Sequence, residues 1–290
     1  MPDPAFRSAE GAASFFAAYD RLLARWPEPT ETVDIGGQFG STRVTMYGAA
    51  DRAPLVLLPG GGASGLVWFA TAAALGGQHR VYAVDTMGQA GRSVHSGQAL
   101  QTVDELMAWL DGVLDGLGLA ESALGGHSNG GWMALRYALH APGRVRQLVL
   151  VDPTMCFAGL SPAYLLHAVP ILARPSTKAL DKFVRWETGG QRLDPDVNRL
   201  SAAGATDFPS SKVVAPKRPD DEELGGLATP TLLLLAERSR CHDIDKVGKT
   251  AGRLLPDLRT VVLPDDSHQT LPSTHPERLN AEVLDFLSGR

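Results

Sequence analysis

A serine set between glycines is the first feature with chemical meaning. Residues Gly126-His127-Ser128-Asn129-Gly130 fit the pattern G-x-S-x-G, and Gly131 follows. Ala123–Gly125 before it reads as a short strand, and Asn129–Leu139 after it reads as a helix, which is the context this pattern needs. Glycines on both sides let the chain turn sharply and lift the serine hydroxyl clear of its neighbours. The N-terminus of the following helix would place positive potential where a negative oxygen develops.

A serine hydroxyl is a poor nucleophile near neutral pH and requires a base. The chain has eight histidines. His268 lies in Pro264-Asp265-Asp266-Ser267-His268, a polar loop between the last expected strand, Thr260–Leu263, and the last expected helix, Pro276–Leu287. Such a loop opens at the same edge of a parallel sheet as the Ser128 turn. His127 reads as structural, and His79, His95, His140 and His275 as surface or turn residues. His242 reads as local to a helix start. His167 is either a substrate contact or part of a solvated helix face. An oxyanion needs donors, and Leu58-Pro59-Gly60-Gly61-Gly62-Ala63-Ser64 follows a buried apolar run. The backbone N–H groups of Gly61 and Asn129 are the expected pair. The run is neither a phosphate loop ending in G-K-[ST] nor a dinucleotide fingerprint with its acidic partner, so nucleotide binding is not indicated.

The elements that must hold these residues follow from periodicity. Phe15, Tyr19, Leu22, Leu23 and Trp26 recur at helical spacing, and Pro27 and Pro29 end that helix. Strands are expected over Glu31–Ile35, Ser41–Tyr47, Leu55–Leu58, Arg80–Val84, Ala123–Gly125, Arg146–Val151, Thr231–Leu235 and Thr260–Leu263, with helices over Val103–Leu117, Asn129–Leu139 and Pro276–Leu287. Strand–helix alternation with continuous apolar runs predicts an α/β fold: a mostly parallel central sheet with flanking helices. The stretch from Pro153 to about Ala228 lacks a core strand and carries helix-like pieces at Pro162–Leu172, Ser176–Trp186 and Asp196–Ala202. Residues 1–152 and 229–290 are therefore expected to form the core, and 153–228 an inserted helical cap or lid.

Composition narrows the class further. The chain has 290 residues, 44% apolar residues and a net charge of −5. That supports a sizeable core, and no basic stripe suggests a nucleic-acid partner. Two cysteines, Cys156 and Cys241, do not make a disulfide framework. No apolar run approaches the ~20 residues that span a membrane, and the start shows no signal-peptide pattern. A cytoplasmic enzyme acting on a small-molecule acyl substrate is the expectation, with no metal, no organic cofactor and oligomeric state left open.

These pieces resemble the capped α/β-hydrolase superfamily from about residue 30 onward. The resemblance rests on Leu58-Pro59-Gly60-Gly61-Gly62 with Trp68 downstream, Asp85-Thr86-Met87-Gly88-Gln89-Ala90-Gly91-Arg92-Ser93, the Ser128 turn and His268. The family usually has histidine where this chain has Pro59. A serine rather than an aspartate at the nucleophile position implies acyl chemistry: attack by Ser128, proton transfer through His268, an acyl-enzyme, and cleavage of a carboxylic ester or ester-like bond. Thioesterase, amidase, acyl transferase and carbon–carbon bond hydrolase remain alternatives, as does a non-enzymatic ligand-binding relative. The cap aromatics imply a mainly apolar pocket, with Trp68, Phe157, Tyr164 and His167 as candidate lining.

The resemblance also raises a problem with the acid that orients His268. The family places it after the strand Thr231–Leu235, in a pattern like G-E-x-D, but here Ala236-Glu237-Arg238-Ser239 puts a serine there. Asp152, at the end of the preceding strand, follows Ser128 by 24 positions (152 − 128). Certain capped relatives carry the acid at that strand end, so Asp152 is the first candidate. Asp243 is the second, although Asp243-Ile244-Asp245-Lys246 also reads as a helix N-cap. Asp265 and Asp266 are expected to be solvated, and Glu237 to be a turn or supporting group.

Overall fold

The computed structural model describes residues 6–173, 176–208 and 214–289. Residues 174–175 and 209–213 of the expected cap block lie outside that description. In chain order the elements are α1 (Ala9–Leu23), β1 (Glu31–Gly37), β2 (Gly40–Tyr47), β3 (Ala53–Leu58), α2 (Phe69–Leu75), β4 (His79–Val84), β5 (Val94–His95), α3 (Val103–Gly116), β6 (Ser122–His127), α4 (Asn129–His140), β7 (Val145–Val151), α5 (Pro162–Ala173), α6 (Thr177–Glu187), α7 (Pro195–Asp207), α8 (Asp221–Gly225), β8 (Thr231–Ala236), α9 (Ile244–Leu254), β9 (Leu258–Leu263) and α10 (Pro276–Leu287), with short 3-10 turns at Gly65–Trp68 and Pro142–Arg144.

One sheet runs β1-β2-β4-β3-β6-β7-β8-β9, with β5 attached to β2. The β1–β2 and β2–β4 pairs are antiparallel. Every pair from β4 through β3, β6, β7 and β8 to β9 is parallel. The fold is the expected α/β architecture. Alternate residues of the inner strands feed two cores. Val56, Leu58, Leu124, Leu148, Leu150, Leu233 and Leu235 pack against residues of α3, α4 and α9 on one face. Leu55, Leu57, Ala123, Val149, Val151, Leu232 and Leu234 pack against α1, α2 and α10 on the other. Strands buried on both faces account for their unbroken apolar runs.

Helix ends follow local chemistry. Thr102 and Glu105 form a reciprocal capping box at the start of α3. Pro276 opens α10, where no intrahelical N–H is needed. At the end of β4, buried Asp85 accepts hydrogen bonds from the N–H of Gly65 (2.7 Å), the N–H of Arg92 (2.7 Å) and the Tyr19 hydroxyl (2.8 Å). It thereby ties α1 to the loops on either side of β4.

Within the 153–228 block, α5 packs on α6, α6 on α7, and α7 on α1. The block's two ends join the core instead. Cys156, Phe157 and Ala158, and later Val214, Leu224 and Leu227, belong to the first core cluster. The elements standing off the sheet are thus α5, α6 and α7. Two polar expectations are corrected. His79 is buried because it opens inner strand β4. Asp266 is buried because it accepts hydrogen bonds from Thr270 Oγ1 (2.9 Å) and His275 Nδ1 (3.1 Å). No helix among the described residues is long and apolar enough to cross a membrane.

Candidate active site

Ser128 sits between β6 and α4 with φ 55° and ψ −120°, a left-handed φ that an L-residue adopts only under constraint. The constraint is visible in its surroundings. Its N–H donates to the Val151 carbonyl (3.0 Å), and its own carbonyl accepts from Thr154 (3.2 Å). The crossing is too tight for side chains. A Cβ on Gly126 would lie 2.2 Å from the Gly130 backbone, and one on Gly130 would lie 2.4 Å from the carbonyl oxygens of Leu58 and Pro59. Glycine is required at both positions.

The Ser128 hydroxyl lies 2.8 Å from His268 Nε2. On the far side of the ring, His268 Nδ1 lies 2.6 Å from Asp152 Oδ2. Asp152 follows β7 with φ 40°, is fully buried, and its N–H donates to the Leu234 carbonyl at 2.7 Å. Three further donors reach its carboxylate. They are the N–H of Ala236 (3.1 Å, Oδ1), His242 Nε2 (3.1 Å, Oδ1) and the Ser239 hydroxyl (2.8 Å, Oδ2). Ser239, at the position where the family resemblance implies an acid, thus donates to Asp152 one strand away.

Asp243, the second candidate acid, is not at this site. Its side chain accepts from the N–H of Lys246 (3.0 Å) as the N-cap of α9, and it is exposed. That is the competing role its sequence context offered. Glu237 is exposed and accepts from the N–H of Asp265 (3.1 Å).

Proton affinities follow from these contacts. Burial alone would drive the Asp152 carboxyl upward, but His242 and His268 overcome it and hold Asp152 well below the usual carboxylate range. Burial favours a neutral His268, yet the hydrogen bond and charge of Asp152, with Glu187 adding to them, raise it above the ordinary imidazole value. His127 is pushed down to about 3 by burial and by the neighbouring His268. Its Nε2–H donates to the His268 carbonyl at 3.0 Å, so it is a structural strut, as its place in the turn suggested.

Gly61 lies beside the start of α4: a Cβ on it would be 3.8 Å from that of Asn129. Among the described residues, neither the N–H of Gly61 nor that of Asn129 is spent on a protein acceptor. The next N–H, on Gly62, is taken by Gln89 Oε1 (2.9 Å). That bond fixes the loop while leaving Gly61 free.

The candidate pocket residues separate into two groups. Trp68 and Phe157 are 1% and 2% exposed and belong to the two core clusters, so neither presents a face to an open cleft. Their size and apolarity served packing. Tyr164 of α5 does face the site, edge-on to the His268 ring with centroids 6.0 Å apart. His167 stacks on Trp186 (3.9 Å, 6°) and bonds the Ala163 carbonyl, within the cap rather than against Ser128.

Two site residues were missed in the sequence. His242 read as local, although it shares a loop with Ser239 and both reach Asp152. Glu187 carried no signal at all. It is 1% exposed at the end of α6, and it accepts from the N–H groups of His268, Gln269 and Arg240. No group of three or more His, Cys, Asp or Glu side chains among the described residues could hold a metal ion.

The chain is similar to known proteins over nearly its whole length. A profile of the alpha/beta hydrolase family matches residues 55–282. The chain is 29% identical to carboxylesterase YbfK of Bacillus subtilis (strain 168), over 98% of this chain and 97% of that protein. The crystal structure of carboxylesterase CesB (YbfK) from Bacillus subtilis superposes with a TM-score of 0.90 at 30% identity, covering 97% of this chain and 99% of that one. Naproxen esterase (carboxylesterase NP) from Bacillus subtilis gives 0.90 at 27% identity, with the same coverage.

Proposed function

The chain belongs to the alpha/beta hydrolase family, and from that premise we propose that it hydrolyses carboxylic esters of small molecules through an acyl-enzyme on Ser128. One observation carries the reading: the unbroken relay from the Ser128 hydroxyl to His268 Nε2 (2.8 Å) and from His268 Nδ1 to Asp152 Oδ2 (2.6 Å). The near full-length likeness to Bacillus carboxylesterases supports the choice of esters.

In the proposed cycle Ser128 Oγ attacks the acyl carbon as its proton passes to His268 Nε2. The carbonyl oxygen becomes an oxyanion facing the N–H groups of Gly61 and Asn129, at the positive end of α4. Collapse breaks the bond to the alcohol, which takes the proton from His268. Water then attacks the acyl carbon, gives its proton to His268, and the second collapse returns it to Ser128 as the acid departs. Asp152 holds the tautomer with the proton on Nδ1 and stabilises the imidazolium formed at each step. Helices α5, α6 and α7 form the cap in this reading and set acyl-chain preference, with the Tyr164 ring edge-on to the base.

The test is Ser128→Ala with a fluorophosphonate probe and p-nitrophenyl acetate. The expected result is one label per parent chain, none on the variant, and turnover reduced by roughly 10³-fold or more with folding retained. Near-parental turnover in the variant would sink the assignment. Graded p-nitrophenyl esters, thioesters and anilides then rank the leaving groups, and a thioester or amide outrunning every oxygen ester would replace the ester reading.

A further inference from the structure

We propose that Glu187, contributed by cap helix α6, is a positioning residue for the base: it suspends the backbone of His268 from the cap. The inference rests on the Ser128–His268–Asp152 assignment. Glu187 Oε1 accepts from the N–H of His268 (3.0 Å) and from that of Arg240 (3.3 Å), and Oε2 accepts from the N–H of Gln269 (3.0 Å). These three N–H groups belong to two loops. His268 and Gln269 follow β9, and Arg240 sits in the loop after β8 that also carries Ser239 and His242, both bonded to Asp152. A single carboxylate therefore registers the loop of the base against the loop that holds the acid.

The chemistry of this contact is specific. Burying a carboxylate is costly unless its oxygens are satisfied. Glu187 is 1% exposed and is in no ion pair among the described residues. Its charge rests on backbone N–H groups instead, and charge-assisted bonds of this kind are stronger than neutral ones. The cap is fastened to the same loop a second time, where Ser161 ahead of α5 donates its hydroxyl to the Arg240 carbonyl (2.7 Å) and its N–H to the Cys241 carbonyl (2.7 Å). The cap thus helps build the catalytic geometry.

Glu187 also adds a fixed negative charge beside the ring that must become an imidazolium. The other groups facing His268 are Asp152 from the end of β7, His127 from β6, Tyr164 from α5 and His242 from the loop after β8. Of these, Asp152 supplies the main charge and Glu187 adds to it in the same direction. A neutral replacement would displace the ring and weaken its hold on a proton together.

The test compares Glu187→Gln and Glu187→Asp in the full chain, with kcat expressed per site titrated by a fluorophosphonate. Gln keeps the length but turns an N–H donor against one of the backbone N–H groups. For p-nitrophenyl acetate the expected result is a kcat lower by on the order of tenfold to a hundredfold with KM within about threefold. The acid limb of kcat/KM should move to lower pH. Asp keeps the charge but not the reach, so kcat falls while the acid limb stays at the parental pH. Parental kcat and an unmoved limb in Glu187→Gln overturn the inference. Failure of both variants to fold also overturns it, by assigning Glu187 to the fold alone. Ser128→Ala run alongside keeps the two readings apart. Retained turnover there sinks the triad, whereas an inactive Ser128→Ala beside a parental Glu187→Gln sinks only the role of Glu187.

Discussion

Asp152 receives four donors, and the two on Oδ2 are the Ser239 hydroxyl and His268 Nδ1. Replacing it with Asn removes the charge and presents an amide that cannot hold the imidazole tautomer reliably. We expect Asp152→Asn to lower kcat by about 10³–10⁴-fold, whereas Asp243→Asn, which keeps a side chain able to cap α9, stays within about twofold of the parent. Steady-state kinetics on both variants checks this, and the reverse ranking would reassign the acid. Legibility at this scale divides by how far a residue's role is local. Ser128 was visible because its turn imposes a glycine pattern, and His268 because a polar loop after the last strand opens at the right edge. Asp152 was reachable only by noticing that Ser239 stands where the family resemblance implies a carboxylate. Glu187 was invisible because nothing within several residues of it requires a carboxylate, and its partners lie 53, 81 and 82 positions away. Asp266 misled for a different reason: its partners Thr270 and His275 are close in sequence, but only the folded loop turns them onto its carboxylate.

Strands were legible to within a few residues because an inner strand of a parallel sheet has apolar neighbours on both faces, as in Leu232–Leu235. Short elements were not. Phe69–Leu75 and Asp221–Gly225 hold too few turns for a period to emerge. The cap helices could be counted, but their seating could not, because it depends on small residues with no periodic signature. Gly204 of α7 is the clearest case. A Cβ there would meet that of Ala90 at 2.9 Å, and the Gly62 carbonyl lies 3.7 Å away. Helix α7 therefore rests on the loop after β4 and beside the loop that carries Gly61, one of the two expected oxyanion donors. Gly204→Val should force α7 off this seat, at a stability cost of about 1–3 kcal/mol. The expected kinetic result is a changed preference among p-nitrophenyl esters of graded chain length, with acetate affected least. An unaltered chain-length profile in the folded variant would separate the cap from substrate choice.

Across the molecule, stability and chemistry share buried histidines at the C-terminal edge of the sheet. His127 has its proton affinity pushed from 6.5 to about 3 on folding. Below pH 6.5 the unfolded chain takes up a proton at this residue and the folded chain does not, so stability attributable to His127 falls as pH drops toward 3. His127→Gln removes that titration while keeping an N–H donor for the His268 carbonyl. Its Tm should decline less than the parent's between pH 6.5 and about pH 4.5, by the equivalent of roughly 2–3 kcal/mol. Parallel thermal unfolding curves for the two proteins would remove His127 from the acid response. The placement of Asp152 at the end of β7 has a consequence for how the protein is made. The proposed nucleophile and acid stand at the ends of neighbouring strands linked by α4, whereas the proposed base comes 116 positions after the acid. At about 5–20 residues per second of synthesis, a growing chain waits roughly 6–23 s between acquiring Asp152 and acquiring His268. For that interval the chain holds the proposed nucleophile and acid but not the proposed base. On the proposed assignment, the growing chain has no base for Ser128 until residue 268 has been added.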